Sequence, residues 1–418
     1  MSRSAAATMP PAVIVVGASA RALAWSASRA GIAVHAADLF ADADLRGCAA
    51  EVVAVAADRG ARYPASLVAA VARFPLAPVC YTGALENHPR VVDRLAALRP
   101  LAGNDGRRVA RVRDPARLAR AVRAAGLGFP DTRCTAAGVP TDGSYLVKPR
   151  ASAGGRGIDV WQGGVARPAA GRHVWQRLVS GTPWGVAFAI ADGRSRLYGA
   201  SRQLVGSDWC GARPYAWCGA IDVPLAAIRS ALRRQVDALG DVLADEFGLV
   251  GLVGADLVVD AAGGVTVIEV NPRPTASMEL VERAGGGSVA ITHLAACGLA
   301  TAAPPALGAS PRWAKAVLFW DRDRDLVVDG RVAAALEALQ ARWSAADGGW
   351  PALADVPLPG TVVRAAGPLL TVFAPAATER AAVDLLRHRA AAVRAALRPA
   401  PRLSPRAGAR AAPRRRRP

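Results

Sequence analysis

Residues 253–277 read VGADLVVDAAGGVTVIEVNPRPTAS, and this stretch decides the fold that we expect for the chain. It contains two apolar strands joined by a short turn at 261–264, which is typical of a hairpin. A register symmetric about the turn gives three directly opposed pairs: Asp260 with Val265, Val258 with Val267, and Asp256 with Glu269. Opposed side chains lie roughly 5 Å apart at Cβ, and like charges in such a pair are destabilising.

The opposed carboxylates of Asp256 and Glu269 are well suited to a divalent cation. Strand alternation places Asn271 and Arg273 on the same face as Glu269, so this face is too polar to belong to a core. Mg²⁺ binds carboxylate and amide oxygens, and phosphate oxygens fill its remaining positions. The pattern therefore predicts a Mg²⁺ (or Mn²⁺) site formed by Asp256, Glu269 and Asn271. The alternative is an exposed hairpin whose charges face water.

The composition is that of an ordinary α/β protein. The 418 residues are 52% hydrophobic and are enough for two or three domains. No uninterrupted apolar run approaches a membrane span, and the first residues lack a secretory cleavage pattern, so we expect a cytoplasmic protein without membrane contact. The six cysteines are scattered without a CxxC pair, which predicts reduced thiols and no structural zinc.

The net charge of +19 is partly local to the C-terminal tail. Seven arginines follow Pro399 without any acid: Arg402, Arg406, Arg410, Arg414, Arg415, Arg416 and Arg417. Their Pro/Ala/Gly-rich context cannot build a core, so residues 399–418 are expected to be a disordered tail. A non-catalytic polyanion-binding protein that uses this tail is one alternative function. No motif accompanies the tail, and we expect no specific nucleic-acid partner.

Lysine is rare in this chain, and one of its lysines precedes a glycine-rich loop. Of 52 basic residues only Lys148 and Lys315 are lysines. Residues 148–157 read KPRASAGGRG and join two strands, whereas a Walker A loop opens a helix. The small residues allow consecutive backbone N–H groups to converge on anionic oxygens, and such a loop can act as a lid. The sequence thus predicts a phosphate-binding hairpin; a flexible hairpin tip is the alternative.

Residues 12–105 alternate short apolar runs with helical stretches, which predicts a doubly wound parallel sheet. The expected strands are 13–16, 34–37, 52–55 and 79–81. Gly17 opens the first turn and Asp38 ends the second strand, where a nicotinamide-binding unit places its ribose-binding acid. A nicotinamide-dependent oxidoreductase is therefore a second alternative. It is disfavoured because the turn lacks the second and third glycines of GxGxxG.

The rest of the chain predicts a mixed arrangement. The expected elements are a loop-rich link at 100–114, a helix at 115–125, antiparallel strands across 144–206, a helix at 225–247, a helix at 331–344, a strand pair around 360–374, and a closing helix at 378–397.

These motifs, in this order, resemble the ATP-grasp superfamily over roughly residues 12–300. Four segments are similar to the group of predicted ATP-dependent carboxylate ligases related to biotin carboxylase: GASARALAWSASRAG at 17–31, DLFADADL at 38–45, YTGALENHP at 81–89 and EVNPRPTASMEL at 269–280. The resemblance implies an α/β and α+β fold. Its parts would be a Rossmann-like domain at 1–106, an ATP-grasp domain at 107–305 with a lid subdomain at about 115–205, and a small C-terminal α+β unit at 306–398.

The resemblance also implies roles for individual residues. Lys148 and Arg273 would be the catalytic residues. The nucleotide would contact Lys148, Gly154, Gly155 and Gly157, together with the hinge formed by Gln176, Arg177, Leu178 and Val179. Asp256, Glu269 and Asn271 would hold the metal ions. Glu86, Asn87 and Arg273 would line the substrate pocket.

The implied activity is that of an ATP-dependent carboxylate–amine (or carboxylate–thiol) ligase. It would form ADP and phosphate through an acyl phosphate, from small-molecule acid and amine substrates. The resemblance also suggests a role in cofactor biosynthesis and a homodimer. The superfamily places a further phosphate-binding lysine just before the helix at 115–125, where this chain offers only Arg107, Arg108, Arg111 and Arg113. His88 and His293 are expected to be structural or pocket-lining.

Overall fold

The structure is a computed structural model that describes residues 9–55, 63–163, 171–285, 287–301 and 311–397. The arginine-rich tail at 399–418 lies outside the described residues, so its predicted disorder stays a prediction. Among the described helices, none is long and apolar enough to cross a membrane.

The N-terminal part forms a parallel sheet of five strands in the order β3-β2-β1-β4-β5 within the described residues. Its strands are β1 (Ala12–Gly17), β2 (Ala33–Asp38), β3 (Glu51–Ala54), β4 (Val79–Tyr81) and β5 (Leu101–Ala102). Its helices are α1 (Arg21–Arg29), α2 (Ala43–Cys48), α3 (Ala65–Arg73) and α4 (Pro89–Leu98). The predicted parallel sheet is confirmed.

The loop-rich link expected at 100–114 is wrong, because this segment contains β5 and a helix, α5 (Gly106–Val112). The Asp105 carboxylate accepts the backbone N–H of Arg108 at 2.8 Å and so caps the helix. Asp114 caps the next helix, α6 (Pro115–Ala124), in the same way. Val109 and Val112 bury one face of α5, a short apolar signal that four nearby arginines hide in the sequence.

A small antiparallel sheet follows in the order β6-β9-β7-β8. Its strands are β6 (Thr132–Arg133), β7 (Tyr145–Pro149), β8 (Asp159–Val160) and β9 (His173–Arg177). Tyr145, Trp161 and Trp175 form its core. The glycine-rich loop connects β7 to β8, which confirms the predicted hairpin.

The largest sheet has the order β14-β13-β10-β11-β12-β15-β19-β17 in the described part of the chain. Its strands are β10 (Thr182–Ala191), β11 (Arg194–Val205), β12 (Trp217–Val223), β13 (Gly251–Val259), β14 (Val265–Asn271), β15 (Arg312–Phe319), β17 (Leu353–Ala354) and β19 (Pro368–Ala376). A separate ribbon pairs β16 (Leu326–Val327) with β18 (Val362–Val363). The helices are α7 (Ser230–Asp245), α8 (Met278–Arg283), α9 (Val289–Ala296), α10 (Gly330–Ala346) and α11 (Glu379–Ala396). The C-terminal strands therefore extend the sheet that carries the carboxylate hairpin.

Three local expectations differ from the structure. The strand pair around 360–374 is wrong, because β18 pairs with β16 while β19 pairs with β15 and β17. The helix expected at 225–247 is interrupted, with a 3₁₀ turn at Leu225–Ala227 before α7. The strands β10 and β11 belong to the large sheet, although we expected them in the lid subdomain. The domain boundaries themselves stay predictions.

The hairpin of β13 and β14 has the predicted central pair but not the predicted register near its turn. Asp256 lies opposite Glu269, as expected. Val259, however, pairs with Val265, so the expected Asp260–Val265 and Val258–Val267 pairs are wrong. A bulge restores the register, because Ile268 is an extra residue between the partners of Leu257 and Asp256. The Asp260 side chain instead accepts the Gly264 N–H in the turn at 2.8 Å.

Helix α7 covers the face of the large sheet away from these carboxylates. Its buried side chains recur every three or four residues: Leu232, Val236, Leu239 and Leu243. They pack with Phe188, Val253 and Val267 in one apolar cluster. The opposite face of the hairpin is thereby left to form a cavity.

His293 joins α9 to two sheets, which confirms its structural role. Its Nδ1 accepts the Leu252 N–H at 2.9 Å and its Nε2 donates to the Ala102 carbonyl at 3.0 Å. This pattern requires a neutral ring. Burial lowers the pKa of His293 from 6.5 to about 4.

Acidification is therefore expected to weaken the fold through His293. Because the folded-state pKa lies below the unfolded value, its stabilisation is present above pH 6.5 and is lost as the pH falls towards 4. The free energy of unfolding should fall by about 2 kcal/mol more between pH 7 and pH 5 in the wild type than in His293→Gln. Urea unfolding at both pH values measures this difference. Parallel changes in the two proteins would contradict the assignment.

Candidate functional site

A cavity of about 1150 Å³ lies between the small sheet, the large sheet and the turns of the N-terminal sheet. It brings together twelve of the predicted site residues: Glu86, Lys148, Gly154, Gly155, Gln176, Arg177, Leu178, Val179, Asp256, Glu269, Asn271 and Arg273. Two others, Asn87 and Gly157, are not among the lining residues. Residues from three separate regions of the sequence thus face one space.

The carboxylates of Asp256 and Glu269 are in different electrostatic environments. Asp256 accepts hydrogen bonds from Gln203 Nε2 at 2.5 Å and from Asn271 Nδ2 at 3.0 Å. Burial and the charge of Glu269 raise the pKa of Asp256 to about 6. Burial opposes ionisation of Glu269 as well, but the charges of Arg113 and Lys148 hold its pKa below the ordinary value. Asp256 is therefore the acid whose charge is least compensated.

This donor set fits a hard divalent cation. Asp256, Glu269 and Asn271 together offer carboxylate and amide oxygens at the edge of the cavity. Among the described residues there is no cluster of three His, Cys, Asp or Glu side chains arranged for a metal. Two carboxylates with open positions are the arrangement that suits Mg²⁺ bound together with phosphate. A cation there would also compensate the negative charge of Asp256.

Of the four arginines that precede α6 in the sequence, Arg113 is the one that contacts the carboxylate hairpin. It lies between α5 and α6, and its guanidinium donates to Glu269 Oε1 and, at 3.1 Å, to Asn87 Oδ1. Arg108 instead pairs with Asp105, and Arg111 donates to the Glu246 carbonyl. The sequence could not select among the four arginines, because the direction in which each side chain points depends on α5, which was not predicted.

Lys148 projects from β7 towards the same carboxylates. Its Nζ donates to Gln176 Oε1 at 2.9 Å, so the Gln176 side chain orients the ammonium group. Burial lowers the pKa of Lys148, whereas the charges of Glu269 and Asp256 raise it. The ammonium group is thus positioned to share an anion with the hairpin.

Two backbone amides of the predicted hinge at 176–179 are hydrogen-bonded within the protein. The Arg177 N–H donates to the Asp131 carbonyl at 2.8 Å, and the Leu178 N–H donates to the Ser144 carbonyl at 2.8 Å. These two amides are committed to the protein. Gln176 lies within β9 and pairs with both neighbouring strands, so Val179 is the hinge residue whose amide we expect to be available for adenine.

The glycine-rich loop is fastened on both sides of the cavity. The Trp217 N–H donates to the Gly154 carbonyl at 3.0 Å, and Asn87 Nδ2 donates to the Ser152 carbonyl at 2.9 Å. Gly155 has a φ of +76°, and a Cβ there would lie 1.9 Å from the Tyr215 carbonyl oxygen. Only glycine allows this close approach. The loop is thus bonded to β12 on one side and to Asn87 on the other.

Arg273 is held by Glu86 in a bidentate pair. The distances are 2.9 Å from Nε to Oε2 and 2.6 Å from Nη2 to Oε1. Glu86 is 2% exposed, so it fixes the guanidinium at the cavity wall. The substrate-contacting roles predicted for Glu86, Asn87 and Arg273 stay predictions.

Asp38 ends β2, as predicted, but its carboxylate is already occupied by the protein backbone. Its carboxylate accepts backbone N–H groups of Ala20 at 2.6 Å, Phe40 at 2.7 Å and Ala41 at 2.7 Å. These bonds fasten the first turn to the end of β2. The feature that favoured an oxidoreductase therefore has a structural role.

Sequence reasoning missed a second charged group at the far end of the cavity. Lys315 donates to Glu279 Oε2 at 3.0 Å and to the Ala276 carbonyl at 3.1 Å. Glu279 also pairs with Arg21, which pairs with Asp355. The scarcity of lysine was the one signal that singled out a member of this group.

Comparisons with known proteins found one family match and several similar folds. Residues 112–277 match the family model described as the ATP-grasp domain. The purK N5-carboxyaminoimidazole ribonucleotide synthetase, solved with ADP, has 16% identity and a TM-score of 0.64, covering 93% of this chain and 98% of that chain. The biotin carboxylase domain of Hydrogenobacter thermophilus 2-oxoglutarate carboxylase, solved with MgADP and bicarbonate, has 14% identity and a TM-score of 0.64, covering 91% and 90%.

The carboxyaminoimidazole ribonucleotide synthase of Aspergillus clavatus, solved with ATP, has 14% identity and a TM-score of 0.62, covering 93% of this chain and 99% of that chain. No curated protein matches the chain by sequence. The glycine-rich loop, residues 176–179 and the carboxylate hairpin all lie within the matched segment. Residues 112–277 therefore match an ATP-grasp domain, and the chain shares its overall fold with these synthetases and with the biotin carboxylase domain.

Proposed function

We propose that the protein is an ATP-dependent ligase that activates a carboxylate as an acyl phosphate and joins it to an amine or a thiol. One observation carries this proposal: the opposed carboxylates of Asp256 and Glu269 share a cavity with Lys148 of the lid and with Arg273. This combination brings metal ligands, a point charge and a planar cation to one place. Phosphoryl transfer relies on such positioning and charge neutralisation.

In this proposal each part of the nucleotide has its own place in the cavity. Adenine would lie beside the hinge and contact Val179. The phosphates would lie beneath the loop between β7 and β8, where Lys148 and Arg113 face Glu269. Asp256, Glu269 and Asn271 would hold Mg²⁺, which supplies charge neutralisation for the phosphate oxygens. Arg113 would take the place of the lysine that the superfamily uses.

The chemistry has two steps. A substrate carboxylate oxygen attacks the γ-phosphorus, the bond to the leaving oxygen of ADP breaks, and an acyl phosphate forms. The amine or thiol then attacks the acyl carbon, and phosphate leaves with the attacking carboxylate oxygen. Arg273 would bind the carboxylate in the first step and steady the phosphoryl group. The closed lid would exclude water from the acyl phosphate.

The carboxylic acid substrate is a small molecule, and bicarbonate is the smallest acid to be tested. One of the similar structures contains bicarbonate together with MgADP. A cytoplasmic location, a homodimer, a role in cofactor biosynthesis and the absence of a nucleic-acid partner stay predictions. Small-molecule acids and amines are the substrates for which the cavity has room.

Substrate screening tests the proposal. Purified protein with MgATP is expected to release ADP only when an acid, bicarbonate included, and an amine or thiol are both supplied. The Asp256→Asn variant serves as the blank. Acid-independent ADP release, or a failure of the wild-type protein to bind MgADP in calorimetry, would contradict the proposal.

Replacing Lys148 by Met is expected to lower kcat/KM for ATP about a hundredfold, because a point charge on the transferred phosphoryl group is lost. Lys148→Arg should recover little, since a planar fork does not replace a compact ammonium group. Steady-state kinetics at varied ATP gives the values. Arg150→Met is the matched control, because Arg150 is exposed on the same hairpin and does not line the cavity. Equal losses in both variants would contradict a specific role for Lys148.

A further inference from the structure

The cavity continues from the phosphate end to a buried cluster of charges, which we call the distal cluster. Its lining members are Arg21, Asp42, Glu279, Lys315 and Asp355. They come from the start of α1, from the residue before α2, from α8, from β15 and from the residue after β17. Nothing in the proposed phosphoryl transfer uses them.

Every cation of the distal cluster has a carboxylate partner. Arg21 donates to Glu279 at 2.5 Å and to Asp355 at 3.0 Å, and it lies 3.4 Å from Asp44. Lys315 donates to Glu279 at 3.0 Å. Arg283, beneath them, lies 3.6 Å from Glu279. This end of the cavity therefore has no spare positive charge with which to bind an anion.

Asp42 is the acid left without a partner. It is 9% exposed and lines the cavity, and although it precedes α2 its side chain makes no capping hydrogen bond. Asp38 close by is saturated by three backbone N–H groups, and Asp44 accepts the N–H groups of Asp355 and Val356. No described group donates to the Asp42 carboxylate. An ionised carboxylate in such surroundings needs a cation.

The charge balance of the cluster points the same way. Apart from Asp38, whose carboxylate is stabilised by three backbone N–H groups, four carboxylates, those of Asp42, Asp44, Glu279 and Asp355, face three cations, those of Arg21, Arg283 and Lys315. One negative charge is therefore in excess when all are ionised. The groups that face Asp42 itself are Asp355, Asp44, Asp38 and Arg21.

We propose that the distal end of the cavity binds a primary ammonium group of the second substrate, with Asp42 as its counter-ion. This inference rests on the proposed ligase function and narrows the second substrate to a compound that carries a basic amino group, which is bound here as the ammonium ion and is distinct from the attacking nucleophile. An ammonium group balances the excess charge and donates hydrogen bonds to an acceptor that has none. An alkali metal ion carries the same positive charge, and the experiment below distinguishes it from an ammonium group.

Binding should release a proton. Burial and the neighbouring carboxylates raise the pKa of Asp42 to about 9, so the free protein carries Asp42 protonated at neutral pH. Binding of a cation favours the ionised form. The affinity for an ammonium ligand is therefore expected to rise about tenfold per pH unit from 7 towards 9, as long as the ligand amine stays protonated.

The test measures binding of simple amines to the full chain with MgADP present. Saturation-transfer NMR titrations would use ethylamine, benzylamine and putrescine, each against its alcohol analogue, and potassium chloride. At least one amine is expected to bind at least tenfold more tightly than its alcohol. Asp42→Asn should abolish this preference and its pH dependence, whereas Asp42→Glu should retain the preference. Asp237→Asn, at an exposed position outside the cavity, is the matched control.

Three results would overturn the inference: no amine preferred over its alcohol, an unchanged preference in Asp42→Asn, or potassium chloride displacing the amine at equal concentration. MgADP affinity and thermal melting of each variant show whether the nucleotide site and the fold remain. Loss of the amine preference with intact acid-dependent ATP turnover contradicts this inference alone. Amine binding without any acid-dependent turnover contradicts the proposed function instead.

Discussion

Replacing Glu269 by Gln is expected to reduce ATP turnover about a thousandfold while leaving the fold intact. The amide keeps the shape of the side chain but removes one of the two opposed charges, and it leaves Arg113 without its ionic partner. The proposed metal that neutralises the phosphates would then lose one of its two carboxylate ligands. Coupled-assay turnover and circular dichroism measure the two parts of the expectation.

The same chemical change at an exposed position provides the control for Glu269. Glu246 follows α7, and its side chain is 63% exposed. Glu246→Gln should leave turnover within about twofold of the wild type, because exposed ion pairs contribute little. Undiminished turnover in Glu269→Gln would contradict the assignment of a metal site to the hairpin.

Replacing Glu279 by Gln is expected to have the largest effect on stability, lowering the free energy of unfolding by about 3–5 kcal/mol. The Glu279 side chain is 2% exposed and contacts Arg21, Lys315 and Arg283. Burial disfavours its charge, yet these three cations hold its pKa far below the ordinary value. Without the carboxylate, Arg21 would keep Asp355 and Asp44, whereas Lys315 and Arg283 would each lose the ion-pair partner that they have among the described residues. Urea unfolding at pH 7 measures the loss.

The pH dependence of this loss identifies its cause. Because the folded-state pKa of Glu279 is depressed, its stabilisation is present above the unfolded value of 4.5 and is lost as the pH falls further. The gap between wild type and variant should therefore narrow in acid. Glu379→Gln, in the first turn of α11 with one exposed arginine partner, should cost less than about 1 kcal/mol. A similar loss in both variants would contradict the special role of Glu279.

The carboxylate hairpin could be predicted from sequence because its information is local. The strand alternation and the short turn brought Asp256 opposite Glu269 without knowledge of the rest of the fold. The register near the turn could not be predicted, since it depends on the Asp260 cap and on the Ile268 bulge. A register symmetric about the turn still gave the right central pair, because the extra residue of the bulge cancels the one-residue shift in pairing next to the turn.

The lid was predictable for the same reason, but the cations around it were not. Lys148 and the glycines are adjacent in sequence, whereas the direction of Arg113 depends on a helix that the arginines concealed. The distal cluster depends on still longer range, since Arg21 and Asp355 are 334 positions apart. Contacts of this kind are set by domain packing, which no local pattern records.

Transfer of an oxygen atom tests the central claim most directly. A substrate acid labelled with ¹⁸O in its carboxylate would be turned over with MgATP and an amine, and the products would be examined by mass spectrometry. An acyl-phosphate route predicts ADP and inorganic phosphate that carries one ¹⁸O from the acid. Unlabelled phosphate, or AMP carrying the label, would contradict it.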